Sequence, residues 1–270
     1  MDRFWYNEGF IYEANRNYFL TTYHIILLIA VTIIGVLLWL IIKKLNEPKQ
    51  TQMLKSIGIL LLVLEALRYL NFNMAYEVTP IGALQFHLCS FGVYFSILAL
   101  LFQKKWMFDL YMIHAIIGAP LALIIPLGIL PWHYDYSFFV IQSFISHMLI
   151  TWSIVVAQRL KVWMPTLKGY KISMLGVIIS YVIAFMMSRY NYVNQNGGHT
   201  NFIWTRYPDP DFPMINDWPF PHYMIFMFVL LILVGAIYPH IFYEREVRKI
   251  KTSSYRVRLI HGKKINHKKR

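Results

Sequence analysis

Cysteine occurs once in this chain of 270 residues, at Cys89. A lone thiol excludes an intrachain disulfide framework and any site built from several cysteines. Charge is also scarce: Asp, Glu, Lys and Arg make up 14% of the residues, against roughly 25% in soluble domains. Acidic residues are the rarer sign, 13 against 26 Lys and Arg, for a net charge of +13. No His-x-x-x-His or Cys-x-x-Cys pair occurs among the ten histidines and one cysteine, so no metal site is predicted. Gly-x-Ser-x-Gly and phosphate-cradling glycine loops are absent, which argues against a serine-hydrolase elbow and a nucleotide fold. The first twenty residues carry Asp2, Glu8, Glu13 and Arg16 and lack a short apolar core, so no cleavable signal peptide is expected.

Apolar residues are abundant, at 57%, and the mean hydropathy is +0.46. Seven stretches approach the roughly 20 residues needed to cross a bilayer: residues 23–42, 54–74, 81–102, 106–127, 138–158, 170–188 and 222–243. In lipid each must be helical, because an unpaired backbone amide costs several kcal/mol there. The predicted fold class is therefore all-α, a polytopic bundle of seven transmembrane helices.

Basic residues orient the bundle. Lys43, Lys44, Lys49 and Lys55 lie at the first connection, Lys104 and Lys105 at the third, and Arg159, Lys161 and Lys168 at the fifth. Eleven more fall between Arg245 and Arg270. The second and fourth connections have none, and the long sixth carries only Arg189 and Arg206. This alternation predicts an outside N-terminus and a cytoplasmic C-terminus. The expected organisation is an extracytoplasmic segment over 1–22, a membrane domain over 23–243 with an outer loop cap at 189–221, and a basic tail over 244–270. A tail of this kind favours anionic lipid headgroups. No nucleic-acid motif accompanies the charge, so nucleic acid is not an expected partner.

Polar residues inside apolar spans are functional candidates. On a helix running inward from Ile81, Cys89 lies about 12 Å deep; on one running inward from Phe138, His147 lies about 13 Å deep. Equal depth lets the two meet. The thiolate is the reactive form of cysteine, and a neighbouring histidine can take its proton. The alternative for Cys89 is a small buried hydrophobe, and for His147 a hydrogen bond across a helix interface. Ser143 lies one turn from His147 on the same face, with Gln142 and Ser146 alongside. Two residues before Cys89, His87 would point some 160° away on a continuous helix, suiting it to a headgroup or a packing bond. Glu65 and Arg68 are spaced i, i+3 and neutralise each other, or Arg68 holds a lipid phosphate. Asp109 is expected at the interface, with His114 deeper. Gly118, Pro120 and Pro126 predict a bent or broken fourth span.

Three segments resemble the YwaF-like bacterial membrane proteins and their eukaryotic relative, transmembrane protein 164. Leu84-Gln85-Phe86-His87-Leu88-Cys89 is similar to the family's Leu-Pro-Leu-His-Leu-Cys, with Gln85 in place of the proline. Gly118-Ala119-Pro120, Ile125-Pro126 and Phe144-Ile145-Ser146-His147 resemble its Gly/Pro-containing fourth span and Phe-Ile-Ser-His. Thr200-Asn201-Phe202-Ile203-Trp204 and Asp217-Trp218-Pro219-Phe220-Pro221 resemble its outer-loop elements. The eukaryotic relative moves a fatty acyl chain between glycerophospholipids, with a cysteine and a histidine separated as Cys89 and His147 are here. The resemblance implies Cys89 as acyl acceptor and His147 as base.

The expected function is thus a phospholipid acyltransferase of a bacterial cytoplasmic membrane, with lipid donor and acceptor as partners. It needs no cofactor, because the donor ester supplies the acyl group. Arg68, Glu65, His87, Ser143 and the loop residue Asn201 are candidate substrate contacts. One rival is a solute or ion transporter routed through Glu65, Arg68, His114 and His147. Another is a seven-helix receptor with the outer loop as ligand cap.

Overall fold

The computed structural model describes residues 19–76, 84, 86–126, 129–130, 136–194 and, in the last helix, 222, 225–226, 228–233, 235–237 and 240. Asn201, the outer loop cap over 195–221, most of the N-terminal segment and the basic tail lie outside the described residues. Those described are all-helical, with no strand among them. The helices are α1 (Thr22–Ile42), α2 (Glu47–Tyr76), α3 (Leu88–Phe102), α4 (Lys105–Ile124), α5 (Phe138–Arg159), α6 (Leu167–Asn194) and α7, whose apolar part is Phe228–Ile237.

Local chemistry sets the helix starts. Thr21, Asn46, Ser137 and Thr166 each accept a hydrogen bond from the backbone N–H three residues on, at 3.2, 3.2, 3.4 and 2.9 Å. Each bond satisfies one of the amides that a first helical turn leaves unpaired.

Among the described residues four helices, α1, α4, α5 and α6, are long and apolar enough to cross a membrane. The expectation of seven such crossings is met only in part. The long α2 carries Lys55, Glu65 and Arg68. α3 has only 15 residues, because the helix predicted from Ile81 begins at Leu88. His87 precedes it as an extended cap residue with ψ 160°. The depth reckoning from Ile81 and the 160° separation of His87 from Cys89 both assumed a continuous helix. Neither holds: Cys89 is the second residue of α3.

α5 is the hub of the bundle, packing against α1, α2, α3 and the C-terminal half of α4. α3 packs against α2, α4, α5 and α6. α1 is peripheral, with Ile26, Ile29, Ile33, Leu37 and Ile41 exposed along one stripe. An apolar stripe of that length, unmatched by protein, is a lipid-facing surface. Its inner face approaches α5 so closely that a Cβ on Gly35 would collide with the Trp152 indole.

The predicted irregularity of α4 is a π turn over His114–Gly118, closed by Ala119 N–H donating to the His114 carbonyl. Pro120 has no amide to return to the Ile116 carbonyl, and a wider turn lets the chain continue around that gap. The helix ends at Ile124 before Pro126. His24 of α1 then caps the break. Its Nδ1 accepts from Leu20 N–H at 3.1 Å, so Nε2 carries the proton and donates to the Leu123 carbonyl at 2.8 Å. Asp109 is buried against protein, where the Trp163 indole donates to it at 2.7 Å. α7 joins the bundle through Tyr170, whose hydroxyl donates to the Ile232 carbonyl at 2.7 Å, and through an edge contact of Tyr181 with Phe228.

Candidate functional site

Cys89 stands in the first turn of α3 and is partly exposed. The N–H groups of Leu88, Cys89 and Ser90 have no intrahelical acceptor, since the ladder opens with Phe91 N–H donating to the His87 carbonyl at 3.1 Å. The Ser90 amide and hydroxyl reach the Cys89 sulfur. Ser90 was not anticipated; its place next to the thiol was the only signal for it.

His147 is buried on α5 and faces Cys89 across the α3–α5 contact. Its Nδ1 lies 2.6 Å from the Ser143 carbonyl and 3.3 Å from the Ser143 hydroxyl. A carbonyl only accepts, so Nδ1 carries the proton. Nε2 is then the basic nitrogen. It is buried, makes no fully formed hydrogen bond, and is the ring atom left for the thiol. The two side chains lie within interaction range, short of an aligned bond. Contacts of this kind often tighten only when substrate binds. Gln142 and Ser146 bond to each other at 3.1 Å rather than to the ring.

Glu65 and Arg68 form a two-point ion pair, Nε to Oε2 at 2.9 Å and Nη2 to Oε1 at 2.5 Å. Arg68 is 5% exposed and Glu65 13%. The Tyr94 hydroxyl of α3 also reaches the Glu65 carboxylate. Tyr94 is a second residue the sequence did not single out, since one more aromatic in an apolar helix carries no pattern of its own. The pair sits beside the thiol and the imidazole: Arg68 is within electrostatic range of Cys89, and Glu65 of His147. His87 is exposed, makes no side-chain cap bond, and lies within range of Arg68.

The structure thus brings Glu65, Arg68, His87, Cys89, Ser143 and His147 to one place and adds Ser90 and Tyr94. His114 turns instead to α6, where its Nε2 meets the Ser180 hydroxyl at 3.0 Å and its ring packs edge-on to Phe95.

A family model, the TMEM164 family, matches residues 19–238. The chain belongs to the TMEM164 family. The match spans α1 to α6, the apolar part of α7 and all eight clustered residues, and stops short of the basic tail. As a family member with several long apolar helices, this is a multi-pass membrane protein. No curated protein and no solved structure matches the chain. The TMEM164 arrangement at Cys89 therefore has to be read from its own chemistry. It brings together a thiol, an imidazole of fixed tautomer, the first-turn N–H groups of α3 and a buried ion pair.

Proposed function

We propose that this protein transfers a fatty acyl chain between glycerophospholipids through a thioester on Cys89. The observation that carries the reading is the meeting of a partly exposed thiol with a histidine whose only basic nitrogen is turned toward it. His147 Nε2 takes the thiol proton as sulfur attacks the carbonyl carbon of a phospholipid ester. The carbonyl π electrons move onto oxygen. As they return, the bond to glycerol oxygen breaks and the imidazolium protonates that oxygen, releasing a lysophospholipid. An acceptor hydroxyl then gives its proton to Nε2 and attacks the thioester, restoring the thiol. Glu65 carries a charge opposite to the imidazolium that forms in each half.

A membrane lipid is the substrate class that fits the surroundings, since lipid-facing apolar surface flanks the cluster on α2 and α3, including Leu60, Leu67, Leu70 and Leu98. The protein acts in this reading in a bacterial cytoplasmic membrane, with its basic tail on anionic headgroups.

The test uses purified protein in vesicles containing a phospholipid with one labelled acyl chain. A labelled adduct on Cys89 that hydroxylamine releases, and that passes to added lysophospholipid, is the expected result. Unchanged lipid remodelling by Cys89→Ser would end the proposal.

A further inference from the structure

The ion pair leaves one strong donor unused. Nε and Nη2 of Arg68 are held by Glu65, while Nη1 is buried with no hydrogen-bond partner. An orphaned guanidinium nitrogen at 5% exposure is costly, and a catalytic role is one of the reasons for which native structures keep such a group. Because Glu65 already balances the charge, the missing partner is not a free anion, which would leave a buried site net negative. A neutral oxygen that gains negative charge only transiently matches the balance. Arg68 also lies within electrostatic range of the Cys89 sulfur, which stands in the first turn of α3.

We propose that Arg68 Nη1, together with the backbone N–H groups of Leu88 and Cys89 in the first turn of α3, holds the carbonyl oxygen of the ester while Cys89 attacks its carbon. This rests on the acyl-transfer reading and adds the electrophilic half of the site. As the carbon–sulfur bond forms, the displaced π pair sits on that oxygen against Nη1 and the amides. It returns to the carbonyl when the ester oxygen leaves. Glu65 and Tyr94 keep the guanidinium fork in place, and are positioning residues that act through Arg68.

The experiment compares two reactions of the same thiol in full-length protein. Acylation by labelled phospholipid, measured in a single turnover at saturating donor, passes through an oxyanion. Alkylation by iodoacetamide displaces iodide at a saturated carbon and forms none. Arg68→Lys keeps a cation beside Glu65 but has no second arm to offer. Glu65→Gln/Arg68→Met removes both charges together and leaves no lone buried ion. Both should acylate about 100-fold more slowly, the usual loss for one oxyanion donor; alkylation stays within about twofold in Arg68→Lys, which keeps Glu65 opposite the imidazolium, and falls far less than acylation in the double variant. His147→Ala should slow both reactions. Wild-type acylation in both Arg68 variants would overturn the role, and so would a parallel fall in both reactions, which marks disturbed folding or thiol activation. If wild-type protein forms no adduct with phospholipid, the acyl-transfer reading fails and this role falls with it.

Discussion

His147 donates its Nδ1 proton to the carbonyl of Ser143, one turn back on the same helix and 2.6 Å away. A backbone atom, not a side chain, therefore sets the tautomer. Ser143→Ala should leave thiol alkylation by iodoacetamide within a few-fold of wild type, because the carbonyl survives the change. His147→Gln retains no basic nitrogen and should slow it by about 100-fold or more, in the range of general-base contributions. Rates followed by mass spectrometry of the single cysteine decide both cases.

Breaking the Glu65–Arg68 pair from one side should cost more than removing it whole. Arg68→Met alone strands a carboxylate that is 13% exposed and should destabilise the protein by about 3–5 kcal/mol. Glu65→Gln/Arg68→Met should lie much nearer wild type. Thermal melting in detergent, monitored by exposure of Cys89 to a fluorogenic maleimide, gives the order.

The crossing of α1 over α5 depends on Gly35. A methyl group there meets the Trp152 indole, so Gly35→Ala should cost about 1–3 kcal/mol through overpacking. Gly35→Ala/Trp152→Leu should recover part of that loss. The same melting assay reads both, and an unaffected Gly35→Ala protein would contradict the close approach.

At the other end of α5's neighbourhood, Trp163→Phe removes the only hydrogen bond described for the buried Asp109 carboxylate, the indole contact at 2.7 Å. The expected penalty is about 1–3 kcal/mol. Asp109→Asn/Trp163→Phe should be less harmful than Trp163→Phe, since it removes the stranded charge as well.

The distribution of Lys and Arg predicts a cytoplasmic C-terminus. A reporter fused after Arg270 should be active only if it requires the cytoplasm. Activity of a periplasm-dependent reporter at that position would reverse the orientation.

Much of this was legible from residue order alone, and the gaps have physical causes. Hydropathy located the helices because burial in lipid demands both apolar side chains and closed backbone bonding. It overshot at α3 because Leu84 and Phe86 are apolar yet lie outside the helix. Hydropathy reports the surroundings of a side chain, not the backbone angle beneath it. The Ser143–His147 relation was visible because a four-residue spacing on a helix is itself a contact. The meeting of α2 with α3 at Glu65 and Tyr94 was not, since no local spacing encodes which face one helix shows another. Gly118 and Pro120 marked α4 as irregular, but a wide turn and a sharp kink share that composition.

The π turn in α4 adds one residue to the helical count, and one residue is about 100° of rotation. The two halves of this crossing are consequently dealt to different neighbours: Lys105–Ile113 to α3 and α6, Ala119–Ile124 to α5. Excising a single residue from within His114–Gly118 would restore a uniform screw and swing Ala119–Ile124 away from α5, carrying the Leu123 carbonyl off His24. The histidine-bearing helix would lose a flank without any change near the sulfur. The bundle thus keeps an angular offset in its backbone that no side-chain repacking can supply.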